Sequence, residues 1–335
     1  MYDHSFDVPG ANDVELHQAR LFIANINGVS ELRAAGPAGA SAIALNSPVL
    51  EAFGLLSTDQ GLLVAGSDGV HRLKFDDAGI TDAERVLEDS YAYQLIPSQT
   101  RSAVYVEGES GLGVLQLRDG RWVASPMVAG IDGRPSTVVE HAGDVWVGSG
   151  KGQFYRLAWS GDSLNVQQVL GPEQGVPEGN AHLFKLGDQL VFATTEGGYG
   201  LDAQDRLQPI TSLYQSDIGE RPEIYSLFSI EPDLVMAVID GTAPLWLGQV
   251  DGGEVLWRRK LLGHLDSGHT AFIRRIGDQI WFGRQPNLYR MPVSDLQGDS
   301  ALKARVLLRR VGYPERDQWL LQGELADVPS VTLDH

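Results

Sequence analysis

Two histidines in one short stretch are the first candidates for chemistry. His264 and His269 stand five apart with Asp266 between them. Imidazole and carboxylate are metal-ligand types, but a zinc site needs three or four donors and no further one stands nearby. Satisfied loop histidines are the plainer reading. Gly148 to Gly152 reads GSGKG. A phosphate loop needs G-x-x-x-x-G-K-[ST] between a strand and a helix, and here a glycine and then a strand pattern follow the lysine. Gly108 to Gly113 is glycine-rich like a dinucleotide fingerprint, but no helix follows it. Both stretches read as hairpin tips. Asp76-Asp77 and Glu88-Asp89 lack calcium-loop spacing and read as solvated turns. Neither G-x-S-x-G nor H-E-x-x-H occurs. The absence of cysteine excludes disulfides, thiolate metal sites and cysteine nucleophiles together. No cofactor, metal or catalytic constellation is implied.

The elements that would position any site come from a repeated pattern. Gln189 to Leu201 reads QLVFATTEGGYGL: an apolar run, a small-residue turn, and a second short run. Two strands joined by a tight turn read this way. Copies begin at Leu21, Leu62, Ala103, Val145, Leu190, Leu234 and Ile280, spaced 41, 41, 42, 45, 44 and 46 apart. A period of about 40–45 residues with four strands per unit belongs to β-propeller blades. The expectation is an all-β, seven-bladed β-propeller over 1–310 with a short C-terminal extension over 311–335. The blades fall at about 13–46, 47–87, 88–130, 131–171, 181–217, 220–262 and 268–310. Hairpins are expected at Asn27-Gly28, Asp68-Gly69 and Asp240-Gly241, and a loop at 37–40. Residues 1–12 are a candidate outer strand that closes the ring. Trp146, Phe192, Trp246 and Trp281 are read as packing between blades, not as a ligand cage.

Composition narrows the partners. A formal net charge of -18 argues against general nucleic-acid binding. The charge is uneven: 256–316 carries 12 Lys/Arg against 5 Asp/Glu, which reads as a blade neutralising acidic neighbours. No run of about 18 apolar residues exists, so no membrane span is expected. Met1 to Gly10 is polar and acidic, which is not a signal-peptide pattern.

The repeat is similar to that of the two-component regulator propeller family, whose pattern runs roughly gd-l-W-v-G-T-x-x-G-l-y-r. Asp144 to Gly148 (DVWVG) with Phe154, Tyr155 and Arg156 carries it, as does Gln279 to Gly283 (QIWFG) with Leu288, Tyr289 and Arg290. Gly187-Asp188 with Leu190 to Thr194 is the matching turn and strand in blade five, and GVPEG at Gly175 to Gly179 looks like a family connector. Blades three and six lack the W-v-G-T core. Val306 to Arg310 and Leu320 to Gly323 resemble the opening of the immunoglobulin-like three-tyrosine domain.

The resemblance implies a non-catalytic sensory propeller of a histidine kinase or diguanylate cyclase receptor. Such a domain is periplasmic in a membrane-anchored receptor, which can be a homodimer; a chain complete as given would be cytoplasmic. Its partner would be a small molecule, a saccharide among the candidates, or a protein. Two other readings stand beside it: a propeller lyase or hydrolase, and a protein-interaction scaffold. Propellers bind ligands at one end of the central channel, where loops enter the innermost strands. Tyr93, Ser136, His182, Tyr225 and Thr270 enter those strands here, with Arg134 and Glu223 beside them. They offer donors, acceptors and aromatic faces to a polar ligand.

Overall fold

The computed structural model describes residues 4–6, 8, 10–34, 40–202, 204–213, 223–239, 245–251, 254–259, 270–284, 287–297, 310–313 and 318–322. The hairpin expected at Asp240-Gly241, the loop at 37–39 and the trio His264, Asp266 and His269 lie outside these residues. Seven four-stranded antiparallel sheets form, each from strands consecutive in sequence except the last. The chain is a seven-bladed β-propeller. Its innermost strands are Asp13–His17, Ala52–Thr58, Ala92–Pro97, Pro135–His141, His182–Leu186, Ile224–Glu231 and Thr270–Ile276. The seventh sheet takes its outermost strand, His4–Phe6, from the chain's start, in the register His4↔Arg290, Ser5↔Tyr289 and Phe6↔Leu288. That pairing closes the ring with hydrogen bonds, and Phe6 stacks on Trp281 at 5.7 Å.

The chain divides into two compact units, Tyr2–Leu296 and a C-terminal unit from Gln297 onward. In the second, Arg310–Tyr313 pairs antiparallel with Gln318–Gln322. No helix among the described residues is long and apolar enough to cross a membrane.

The core consists of seven hydrophobic clusters, one between each pair of neighbouring blades. Side chains alternate between the two faces of a strand. Accordingly Leu62 and Val64 enter the cluster shared with blade one, while Leu63 and Ala65 enter the cluster shared with blade three. Because both faces are buried, the second strand of a blade reads as a continuous apolar run, which is the repeated pattern itself. Trp146 meets Phe192 edge-on at 5.2 Å between blades four and five. Trp281 is buried between blades seven and one, and Trp246 packs against the cluster of blades five and six.

The strand register corrects the repeat alignment in blades three and six. Val104↔Leu115 and Gly108↔Gly111 are the counterparts of Leu62↔Leu73 and Gly66↔Gly69. The column therefore starts at Val104 and not at Ala103, and in blade six, where Ser226↔Val238 is the counterpart of Gly54↔Ala65, at Val235 and not at Leu234. Tyr105 and Leu63 then coincide, and Glu107 falls where blade two has Ala65.

Candidate functional site

The innermost strands surround a central cavity of about 590 Å³. One local device fills its wall with side chains. In five blades the innermost strand has a bulge after its first residue, between Ala52 and Gly54, Ala92 and Gln94, Pro135 and Thr137, Ile224 and Ser226, and Thr270 and Phe272. A bulge inserts one unpaired residue and re-aims its side chain. The five inserted residues, Phe53, Tyr93, Ser136, Tyr225 and Ala271, all line the cavity.

Tyr93, Arg134, Ser136, His182, Tyr225 and Thr270 are therefore brought together on the cavity wall. Glu223, just before Ile224, is not among the lining residues. The sequence reading missed Phe53, Glu107, Asp13 and Arg274, which also line it. Phe53 carried a signal. It stands as far before Leu62 as Tyr225 does before Leu234.

Aromatic groups form one part of the wall. Phe53 lies 5.4 Å from Tyr93 and 5.9 Å from the half-exposed Tyr91, and the two tyrosines stack at 6.0 Å. The Arg134 guanidinium sits over the Tyr93 ring at 4.6 Å. The Tyr93 hydroxyl donates to Glu109 Oε2 at 2.9 Å. Burial, reinforced by that carboxylate, raises the Tyr93 hydroxyl above its ordinary pKa. Across the cavity, His182 meets Tyr225 at 5.4 Å.

Three further titratable groups in the wall are moved by burial. Glu107 is 3% exposed, and desolvation pushes its carboxyl up to about 8 against the opposing pull of Arg134 and the Val138 backbone N–H. Its Oε1 has no hydrogen-bond partner. Desolvation pushes His182 down to about 4, and its Nε2 is likewise without a partner. Asp13 is pushed up to about 6 by burial, although Arg274 pulls the other way. The Arg274 guanidinium donates to Asp13 Oδ2 at 3.1 Å and to Glu15. Asp13 also accepts the Leu55 N–H at 2.9 Å, tying blade one to blade two.

The Ser136 hydroxyl donates to the Ala181 carbonyl at 2.5 Å, so it forms no nucleophile–base pair with His182. Among the described residues no group of three His, Asp or Glu side chains could hold a metal ion.

No protein-family model matches the chain, and no curated protein matches it. Solved structures do. The β-propeller domain of Cps50 (Swd1) from Myceliophthora thermophila aligns at TM-score 0.59 and 11% identity, covering 86% of this chain and 99% of that one. The WD40 propeller domain of Doa1 aligns at 0.62 and 11%, covering 86% and 95%. The extracellular domain of the hybrid two-component system BT4673 from B. thetaiotaomicron aligns at 0.61 and 11%. That alignment covers 86% of this chain and 39% of that one. These likenesses concern the fold.

Proposed function

We propose that this chain is a non-catalytic sensory propeller, the periplasmic ligand-binding part of a bacterial signal-transduction receptor. The observation that carries the reading is the central cavity. Its wall combines aromatic faces with two buried polar atoms that have no hydrogen-bond partner, Glu107 Oε1 and His182 Nε2, an arrangement a bound ligand would complete. A buried polar atom without a partner is costly, and a ligand hydrogen bond removes that cost. Support for the receptor setting comes from the propeller likeness to the extracellular domain of a hybrid two-component system and from the repeat's resemblance to receptor propellers. Binding would shift the receptor between arrangements according to the ligand's differential affinity for them.

Differential scanning fluorimetry against a panel of small polar metabolites tests this. A rise in melting temperature with one compound class, lost in Phe53→Ala, supports it. Turnover of a panel compound would replace it with the enzyme reading. An unshifted melting temperature throughout, with a stable protein partner captured instead, would replace it with the scaffold reading.

A further inference from the structure

We propose that the central cavity takes a small zwitterion, such as an α-amino acid, with its carboxylate at Arg134 and its ammonium at Glu107. The inference rests on the reading of this cavity as a ligand site. It follows from which charges in the wall are already matched. Asp13 and Glu15 are both held by Arg274. Glu109 accepts the Tyr93 hydroxyl. His182 is uncharged at neutral pH, because burial holds it near 4. Arg134 and Glu107 remain. Among the described residues no ion pair joins Arg134 to a carboxylate, and Glu107 has a bare Oε1 although it is almost fully buried.

The two groups line the same cavity without bridging each other. A ligand with a single charge fits only one of them. A cation would meet Arg134 as a like charge, and an anion, though answered by Arg134, would leave Glu107 holding its proton with Oε1 still bare. A neutral saccharide would leave both unmatched. A zwitterion answers both and adds no net charge to a desolvated space. Phe53, Tyr93 and Tyr225 would then bound the rest of the molecule with ring faces.

The position of Glu107 supports the same conclusion. The register places it in a column occupied elsewhere by Ala24, Ala65, Gly148, Ala193, Val238 and Gly283. That column is tight: a Cβ at Gly148 would overlap the Ala181 carbonyl, and one at Gly283 would overlap the Ala11 carbonyl. The ring is built on small or apolar residues there, so propeller packing does not call for a carboxylate.

Without ligand, burial keeps Glu107 protonated at neutral pH, with Arg134, Tyr93, Tyr225, His182, Asp13 and Arg274 as the other titratable wall groups. An ammonium ion beside it would displace that proton. Calorimetric titration of the purified chain at pH 7, in two buffers of different ionisation enthalpy, reads this directly. The probes are L-phenylalanine, L-leucine and L-serine, the N-acetyl derivative and amide of each, and D-glucose. The expected result is binding of at least one amino acid with release of about one proton, and at least tenfold weaker binding of its acetylated and amidated forms. Glu107→Gln should erase the difference between amino acid and N-acetyl form, and Arg134→Met the difference between amino acid and amide. Equal binding of a blocked form, or binding without proton release, overturns the inference. Binding of glucose alone also overturns it while leaving the cavity reading intact. Binding of none of these probes overturns it as well, and the cavity reading then stands or falls on the wider metabolite panel.

Discussion

Replacing Glu107 by glutamine should change how stability depends on pH. The side chain keeps its shape and loses its charge. Burial lifts the folded-state carboxyl from 4.5 to about 8. Between those values the folded protein holds a proton that the unfolded chain has released, so the unfolded state binds fewer protons and stability falls as pH rises. The loss begins near the unfolded value and is complete once pH passes the folded one. At about 1.4 kcal/mol per pH unit, this carboxyl removes on the order of 4 kcal/mol between about pH 5 and pH 9. Urea unfolding followed by tryptophan fluorescence at several pH values measures it, since the chain has 7 tryptophans. Glutamine leaves a buried amide in place of the carboxyl, an offset of about 1–3 kcal/mol that does not depend on pH. The slope is therefore what matters. The stability of Glu107→Gln relative to the parent should climb from pH 5 to about 8 and level off above it. A difference that stays constant with pH, or that shrinks, would refute the assignment of a buried protonated carboxyl at this position.

Other substitutions probe how the ring is held shut. Phe6→Ala removes the stack on Trp281 and should cost about 3 kcal/mol in urea unfolding; a loss below about 0.5 kcal/mol would mean that the first strand does not close the ring. Arg274→Met leaves Asp13 buried without its counter-charge and should cost on the order of 3 kcal/mol at neutral pH. Asp13 already titrates near 6, and losing Arg274 raises it further, so this loss should grow above that pH and shrink below it. Adding Asp13→Asn should restore part of the stability, whereas simple additivity of the two substitutions would deny the coupling. Gly148→Ala drives a Cβ into the Ala181 carbonyl and should cost about 1–3 kcal/mol, read as a drop in melting temperature.

The architecture was legible because the blades repeat one physical situation. A second strand buried on both faces yields an uninterrupted apolar run such as Leu62 to Ala65, and a tight turn yields the glycine after it. Ring closure was less legible. A three-residue strand such as His4–Phe6 is too short to show alternation, and its partner lies at the other end of the chain. The cavity wall was legible in part. Tyr93, Ser136 and Tyr225 were within reach because they precede the apolar runs at near-constant distance, and Phe53 shared that spacing. At Thr270 the reading was one residue early: its side chain lines the cavity, but Ala271 is the bulged residue. Bulges depend on backbone pairing, which no residue pattern at these positions announces. Arg274 and Asp13 are brought together only by closure of the ring, across nearly the whole sequence.

Glu107 shows how a repeat makes its own exceptions informative. A one-residue slip, from Val104 to Ala103, set it opposite Gly66, Ser149 and Thr194, where a polar residue is ordinary. The strand register moves it into the small-residue column, where it is the one charged residue. The six other blades therefore act as internal controls for what the fold requires at that depth. Alanine or glycine meets the requirement in five of them, and Val238 in the sixth. Against that background Glu107 lowers the stability of the unliganded ring, since its folded form must hold a proton at neutral pH or accept a buried charge. The Val138 N–H compensates this only in part, because Oε1 has no hydrogen-bond partner. Under the proposed function, the ligand that fills the cavity offsets this destabilising group. Stability and ligand affinity should thus move in opposite directions at this residue, with Glu107→Gln gaining the first at alkaline pH as it gives up the second.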